Sequence, residues 1–438
     1  MVTPPSLDLH TGGQGETTAA RFRLAIPAGT PAGRHLIEYR LGPGEGRPAV
    51  TIEPVWMGAP GLAKPPDAAT CVRETFLAKP ACVDVHMIDA KFASGLKYAY
   101  IRGAAEGLLE AIGNLGLSIH LISDDEMGYL DLSAFDAILI GPNAYLTRDE
   151  VRKNAGRLLD YVSRGGTLIV QYQAYGYELS GFAPYPFDYS HPHDRVTYPD
   201  APVTILEPEH SLVTHPNKIT QEDFAGWTHD RGLYFFGTFD KRYTAILGSN
   251  DIGEELKPGG LLACGYGRGA FVYVGYSLFR QIPMGVPGAF RILTNLLALP
   301  EALLIERVER LRNLSFFANL SDEQLAAVAR IVSERHETAG AYLCRQGDPG
   351  EEVFIVTKGE VEIIKRTETG SLTRRAGEGQ VIGEFAILAD IPRAADLRAL
   401  NDVQLLVISR AHFRTLMHQY VEIAENMIRQ LVTKLTVE

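Results

Sequence analysis

Cysteine is scarce in this chain. The 438 residues hold four, Cys71, Cys82, Cys264 and Cys344, and no two stand in CxxC spacing. So few thiols in so long a chain exclude a disulfide scaffold and leave reduced, mostly buried cysteines as the reading. An excess of basic charge is missing too. Lys plus Arg number 42 against 53 Asp plus Glu, a net charge of −11, which argues against a general nucleic-acid or membrane-surface binder. No uninterrupted run of about 18 apolar residues is apparent, so no transmembrane helix is expected. The opening Met1-Val2-Thr3-Pro4-Pro5-Ser6-Leu7-Asp8 has no basic region followed by an apolar one. No signal peptide is therefore expected, and the cytoplasm is the expected compartment. Hydrophobic residues at 46% and charged residues at 22% are ordinary for a globular protein. The length suggests about three domains.

The segment 1–19 is polar and rich in Gly and Thr, and disorder is expected there. From 20 to 93 short alternating runs separated by Gly and Pro read as a partial β-sandwich: Arg21–Pro27, His35–Arg40, Val50–Trp56 and Cys82–Ile88. From 94 to 300 the period changes. Strands are expected at Leu96–Gly103, Leu117–Ile122, Asp136–Gly141 and Gly166–Gln171, with helices at Ala104–Leu115 and Thr147–Ser163 between them. Such alternation predicts a parallel sheet with right-handed crossovers. A hairpin through Gly267-Arg268-Gly269 and a closing helix, Gly288 to Leu299, complete the α/β unit. Residues 174–232 show no clear secondary structure, and long insertions of that kind are often functional. Within them His191, His193 and Asp194 are weak candidates for metal ligands, although a His-Pro-His in a polar loop is more often merely solvated, and no metal is expected. Tyr172, Tyr175, Tyr177, Phe182, Tyr185, Phe187 and Tyr189 either line a ligand cleft or pack the insertion onto the sheet, the commoner role. A ligand of an open α/β sheet would lie at the carboxyl ends of its strands, where Gly103, Gly141, Pro142, Asn143, Gln171 and Gln173 fall.

The most informative stretch is Gly383-Glu384-Phe385-Ala386-Ile387-Leu388-Ala389-Asp390-Ile391-Pro392-Arg393-Ala394-Ala395. Glycine lets a backbone approach a ligand closely. A short helix offers N–H groups to a phosphate, and an arginine adds a charged planar fork. A carboxylate would repel a phosphate, so Glu384 is expected to accept from a hydroxyl instead. One phosphate with a ribose hydroxyl nearby describes a cyclic nucleotide.

This stretch resembles the phosphate-binding cassette of cyclic nucleotide-binding domains of the catabolite activator and cAMP-dependent kinase regulatory-subunit type. The likeness runs over 301–438. It includes the Gly-Asp turn of Arg345-Gln346-Gly347-Asp348-Pro349-Gly350, two strands around Gly359, a last strand at Leu405–Ile408 and two helices after 411. The resemblance implies a β-roll in which Glu384 accepts from the ribose 2′-hydroxyl and Arg393 holds the phosphate. It also implies that Gly383, Phe385, Ala386, Ala394 and Ala395 surround the ligand. A Thr after the arginine often accompanies cGMP in the family, so Ala394 favours cAMP, with cGMP the less favoured ligand. Asp396 departs from the family's usual Thr, Ser or Trp and is expected to point outward. The alternative is a domain that keeps the fold and binds nothing. The stripe of Met427, Ile428 and Leu431 suits a lid over the base, a homodimer seam or simple packing. With no helix-turn-helix, DNA is not an expected partner, nor is a membrane.

The α/β unit resembles the class I amidotransferase-like (flavodoxin-like) domain found in proteins of the N-acetylglucosaminyl deacetylase type. Gly165–Tyr172, Phe182–Pro186, Arg195–Thr197, Trp227, Arg231–Phe235 and Val274–Gln281 carry that likeness. The deacetylase Ala-His-Pro-Asp-Asp is absent, and no Cys or Ser follows Gln171 where an amidotransferase nucleophile would stand. The expectation is a cyclic-nucleotide sensor with a catalytically silent α/β domain. The alternative is a nucleotide-regulated hydrolase or carbohydrate-processing protein with an active site in that domain. Pro300 to Asn313 is the expected hinge between the two.

Overall fold

The computed structural model describes residues 88–105, 107–114 and 116–436, with the backbones of six strands ahead of them. The side chains at 110, 111, 114, 180, 191–193 and 434–436 fall outside that description. Two units divide the chain, Met1–Asp89 and Ala90–Glu438.

The first unit contains β1 (Val2–Thr3), β2 (Arg23–Leu24), β3 (Gly33–Tyr39), β4 (Glu53–Val55), β5 (Thr75–Leu77) and β6 (Ala81–Met87). They form three antiparallel pairs, β1 with β2, β3 with β6 and β4 with β5. Of the segment 1–19, where disorder is expected, Val2–Thr3 is instead strand β1, and the rest lies outside the described residues.

The second unit opens with an eight-stranded sheet. Its strands are β7 (Tyr98–Ile101), β8 (Ile119–Ile122), β9 (Ala137–Ile140), β10 (Thr167–Gln171), β12 (Val203–Ile205), β14 (Thr244–Ser249), β15 (Lys257–Tyr266) and β16 (Gly269–Val274). They lie in the order β12-β14-β15-β16-β10-β9-β7-β8. Strands β8, β7, β9, β10 and β16 run parallel, an order of 2-1-3-4-5 shared by doubly wound sheets. The other three extend it antiparallel. Strands β7, β9 and β10 are buried along their whole length, which is why they read as continuous apolar runs rather than alternating ones.

Helix α1 (Gly107–Asn114) follows β7. The helix expected over 147–163 is three short ones, α2 (Ala144–Thr147), α3 (Asp149–Lys153) and α4 (Ala155–Ser163), interrupted at Arg148 and Asn154. The segment read as structureless is also ordered. Strand β11 (Phe187–Val196) pairs antiparallel with β13 (Gly232–Phe239) through three register irregularities, and the short helix α5 (Ser211–Thr214) follows β12. Phe187 and Phe236 stack across the ribbon with centroids 3.6 Å apart. Tyr177 and Tyr189 are buried in the same cluster, so the insertion's aromatics mainly pack it onto the sheet.

After α6 (Leu278–Gln281), helix α7 runs unbroken from Pro287 to Arg312 with Pro300 inside it. It passes straight through the expected hinge. Its first half is anchored by a buried amide network. Asn295 Oδ1 accepts from the Asn217 N–H at 3.0 Å, and Asn295 Nδ2 donates to the carbonyls of Leu212 and Asn217. Its last turn places Leu311 in the core of the next domain. By length and mean hydropathy (1.4) α7 could cross a bilayer, although Arg291 and Glu301 interrupt its apolar run. Of its apolar window 67% is buried within the unit, the arrangement of a core helix.

The C-terminal domain is a β-roll of two four-stranded sheets. One has the order β17 (Ser333–Glu337), β24 (Val403–Ser409), β19 (Glu352–Lys358), β22 (Val381–Ile382). The other has the order β18 (Tyr342–Cys344), β23 (Asp396–Ala399), β20 (Val361–Thr367), β21 (Gly370–Ala376). Helix α8 (Asp322–Ile331) starts at a capping box in which Ser321 and Gln324 bond reciprocally. Helices α9 (Glu384–Leu388), α10 (Arg410–Gln419) and α11 (Val421–Thr436) complete it. Gly359 takes φ +87° at the β19–β20 turn, a conformation that favours glycine.

Candidate functional site

The cassette is one local stretch, 383–395, held in place by segments far away in sequence. Gly383, at φ +83°, turns the chain out of β22 into α9. A Cβ there would lie 2.5 Å from Arg393 Nη1, so glycine is needed for both the turn and the room. Glu384, the first residue of α9, is 1% exposed. Ala386 is buried, and Phe385 is 45% exposed. Gly350 presses against α9 so closely that a Cβ would meet that of Ala386 at 2.4 Å.

Arg393 is 5% exposed. Its Nη1 donates to the Gly383 carbonyl at 3.0 Å and its Nη2 to the Glu352 carbonyl at 2.7 Å. Its guanidinium carbon stands 5.4 Å from the centre of the Phe354 ring. The Nε is buried without a hydrogen-bond partner. No carboxylate pairs with this cation among the described residues. Burying a charge is costly unless it is paired, and Arg393 is held by neutral carbonyls only. Remaining N–H groups on a five-donor fork suit a phosphate.

The backbone locks that arginine in place. Gly347 N–H donates to the Arg393 carbonyl, and Arg393 N–H to the Asp348 carbonyl, both at 2.9 Å. Gly347 adopts φ +94°, and Asp348 caps the turn by accepting from Arg345 N–H at 2.7 Å. The Gly-Asp turn and the arginine therefore form one bonded unit. Asp396 corrects an expectation. Rather than pointing outward it is 1% exposed. It accepts from the Gln346 N–H at 2.7 Å and from Arg366, and Arg345 Nη1 lies 3.6 Å away. That backbone N–H and the two guanidiniums hold its carboxyl below the usual carboxylate range. Its charge is absorbed by these partners, which offsets the repulsion a phosphate would otherwise feel.

Ala394 is exposed and Ala395 half-buried. Behind the cassette, Arg410 reaches the Gly350 carbonyl at 2.9 Å and pairs with Asp390. Arg414 donates to the Ile387 carbonyl at 3.1 Å. Sequence reading missed Phe354, Glu352, Arg410 and Arg414; their roles depend on contacts across 20 to 60 positions. Of the stripe on α11, Met427 lies in the roll's helical core with Ile423 and Phe316, Leu431 packs at its edge, and Ile428 is 59% exposed. Met427 thus packs in the helical core, placed inward by the helical repeat that leaves Ile428 outside.

The carboxyl edge of the parallel sheet is built differently. Tyr172, at φ +44°, occupies the position after β10 where a nucleophile was sought, and burial pushes its phenol up to about 12. Gln173 is fully buried. It accepts from Tyr145 N–H and donates to the carbonyls of Gly141 and Gln171. Asn143 Oδ1 accepts from Ala174 N–H at 2.9 Å. Gln173 and Asn143 thus knit strand ends together. Burial also pushes the Cys264 thiol well up, making it a poor nucleophile. The side chains of His191 and His193 lie outside the described residues, and Asp194 accepts from the Ser190 hydroxyl at 3.1 Å.

A β-roll whose glycine-bounded cassette buries an unneutralised arginine is an anion-binding module. Residues 334–420 match the family model of the cyclic nucleotide-binding domain, and this part of the chain is such a domain. The chain is similar to a cGMP-dependent protein kinase of Caenorhabditis elegans, 30% identical over 122 residues covering 28% of this chain and 15% of the kinase. It is also similar to a cyclic nucleotide-gated potassium channel of Mesorhizobium japonicum, 29% identical over 35% of this chain and 43% of the channel. The chain thus spans less than half the length of either. Similar solved structures include the regulatory domain of Toxoplasma gondii PKA with cAMP, with 21% identity, TM-score 0.29, and 34% of this chain and 56% of that one covered. Another is the Thermus thermophilus catabolite activator protein, with 25% identity, TM-score 0.26, and 28% and 58% covered.

Proposed function

We propose that the chain is a cyclic-nucleotide sensor whose preferred ligand is cAMP, and that its α/β domain is a catalytically silent body on which the roll acts. The observation that carries this reading is the buried Arg393, which has no carboxylate partner among the described residues and a free Nε. A cyclic phosphate neutralises that charge, and Glu384 accepts from the ribose 2′-hydroxyl. Ala394 leaves no hydroxyl beside the base, which supports cAMP over cGMP. Tyr172 in the nucleophile position supports the silent reading of the α/β domain.

A ligand shifts a conformational equilibrium only by its differential affinity for the two states. Arg410 and Arg414, which join the cassette to α10, supply contacts through which cassette and helices change together. Calorimetric titration of the full chain with cAMP and with cGMP tests the proposal. The expected result is micromolar binding of cAMP, on the order of −8 kcal/mol, and weaker binding of cGMP. No saturable heat with either nucleotide sinks the sensor reading; tighter cGMP binding sinks only the choice of ligand.

A further inference from the structure

We infer that a second, oligoanionic ligand binds in a cavity on the opposite side of the α/β sheet from its carboxyl edge. The cavity, about 750 Å³, lies where the amino ends of β9 and β10 meet helix α7, and Asp136, Gly166, Thr167, Pro300 and Leu304 form part of its wall. That volume suits a small organic ligand.

Five guanidiniums line the cavity: Arg157, Arg164, Arg268, Arg307 and Arg330, drawn from α4, its C-terminal end, the β15–β16 turn, α7 and α8. In a chain with a net charge of −11 this gathering is against the average. The arginines are held mainly by neutral groups. Arg157 donates to the carbonyls of Met127 and Leu130, Arg268 to that of Arg164 at 2.7 Å, and Arg307 to that of Arg268 at 2.6 Å. Among the described residues Arg307 alone approaches a carboxylate, Glu334 at 4.0 Å, which is outside the lining. Arg164 and Arg330 are exposed, and their side chains make no polar contact among the described residues.

Asp131, Asp136, Asp160 and Glu301 also line the space, but none pairs with these arginines. Asp131 accepts from Ser133, Asp136 from Lys97 N–H at 2.7 Å, and Glu301 pairs with His215 at 3.0 Å. Asp160 is exposed. The cavity therefore holds more positive charge than its own carboxylates neutralise, and arginine forks favour phosphate or carboxylate oxygens. The ligand class is a compact molecule with two or more anionic groups, a phosphate ester or a polycarboxylate.

The test is calorimetry on the full chain with inorganic pyrophosphate and, separately, citrate, each against sodium chloride at matched ionic strength. The comparison protein carries Arg164→Gln and Arg330→Gln together. Both positions are exposed, so its melting temperature without ligand should equal that of the parent. Saturable binding of either probe, weakened at least tenfold in the double variant, supports the site. Pyrophosphate alone binding points to a phosphate ester, citrate alone to a polycarboxylate. No saturable binding beyond the salt control overturns the inference. So does an affinity the double variant leaves unchanged, because the anion then sits elsewhere, the cassette included.

Discussion

Two polar regions of the second unit handle charge in opposite ways. At the carboxyl edge of the parallel sheet opposite charges stand together, with Arg280 3.6 Å from Asp230. Gln173 devotes its amide to joining strand ends. In the roll, Arg393 is buried deeper than Arg280 and among the described residues has only carbonyls and an aromatic face for company. A protein that neutralises its own charges has less to offer a ligand. Arg231 is buried among carbonyls and aromatic faces too, but Arg393 stands in a cassette beside the exposed Ala394, where an anion can complete the attraction. The sheet edge has the topology of a ligand site; the roll has the unfinished electrostatics of one.

The sharpest way to break this contrast is to exchange the two arginines' fates. Arg393→Ala should weaken cyclic-nucleotide binding about ten- to a hundredfold, since hydrogen bonds to charged groups are worth roughly 1.5–3 kcal/mol. Arg280→Ala should leave that binding unchanged, and calorimetry on both variants decides. A smaller effect is expected from Gly350→Ala. Its Cβ would meet that of Ala386 at 2.4 Å, and overpacking of this kind costs about 1–3 kcal/mol. Chemical denaturation should report the loss, together with weaker nucleotide binding. Glu384→Gln should cost about tenfold in affinity for a nucleotide bearing a 2′-hydroxyl and much less for its 2′-deoxy analogue, measured by competition.

The smallest effect should be the most informative about pH. Asp396 has a lowered carboxyl pKa in the folded state. Its stabilising contribution is complete above the ordinary aspartate value of about 4 and is lost as pH falls through the folded value. Asp396→Asn should therefore be less stable than the parent near neutrality, by about 1 kcal/mol. The gap should narrow in acid, as thermal unfolding across pH 2–7 would show. A gap that stays constant with pH would mean that the charge contributes nothing.

Much of the cassette could be read from sequence because its parts are local. Gly383, Glu384 and Arg393 fall within eleven positions, and the turn glycines announce themselves. Asp396 reads as outward-facing in the sequence because the groups that bury it arrive from 30 and 50 positions away. The β11–β13 ribbon hid for a similar reason. Its partner strand begins 36 residues after its own end, and bulges at Asp188, Tyr189 and Asp194 break the two-residue alternation. The local sequence ends helix α7 at Leu299, because proline usually ends a helix. Here tertiary packing on both sides of Pro300, from Leu296 to Leu311, overrides that local preference.

That uninterrupted helix changes what kind of joint the protein has. A tether lets two bodies tumble; an axle does not. Each residue added to an α-helix advances it by about 1.5 Å and turns it by about 100°. A single alanine inserted after Pro300 would thus swing the roll around the α/β body rather than lengthen a leash. Four insertions, a little over one turn, would nearly restore the original facing. An engineer wishing to graft this nucleotide module elsewhere would have to match phase as well as distance.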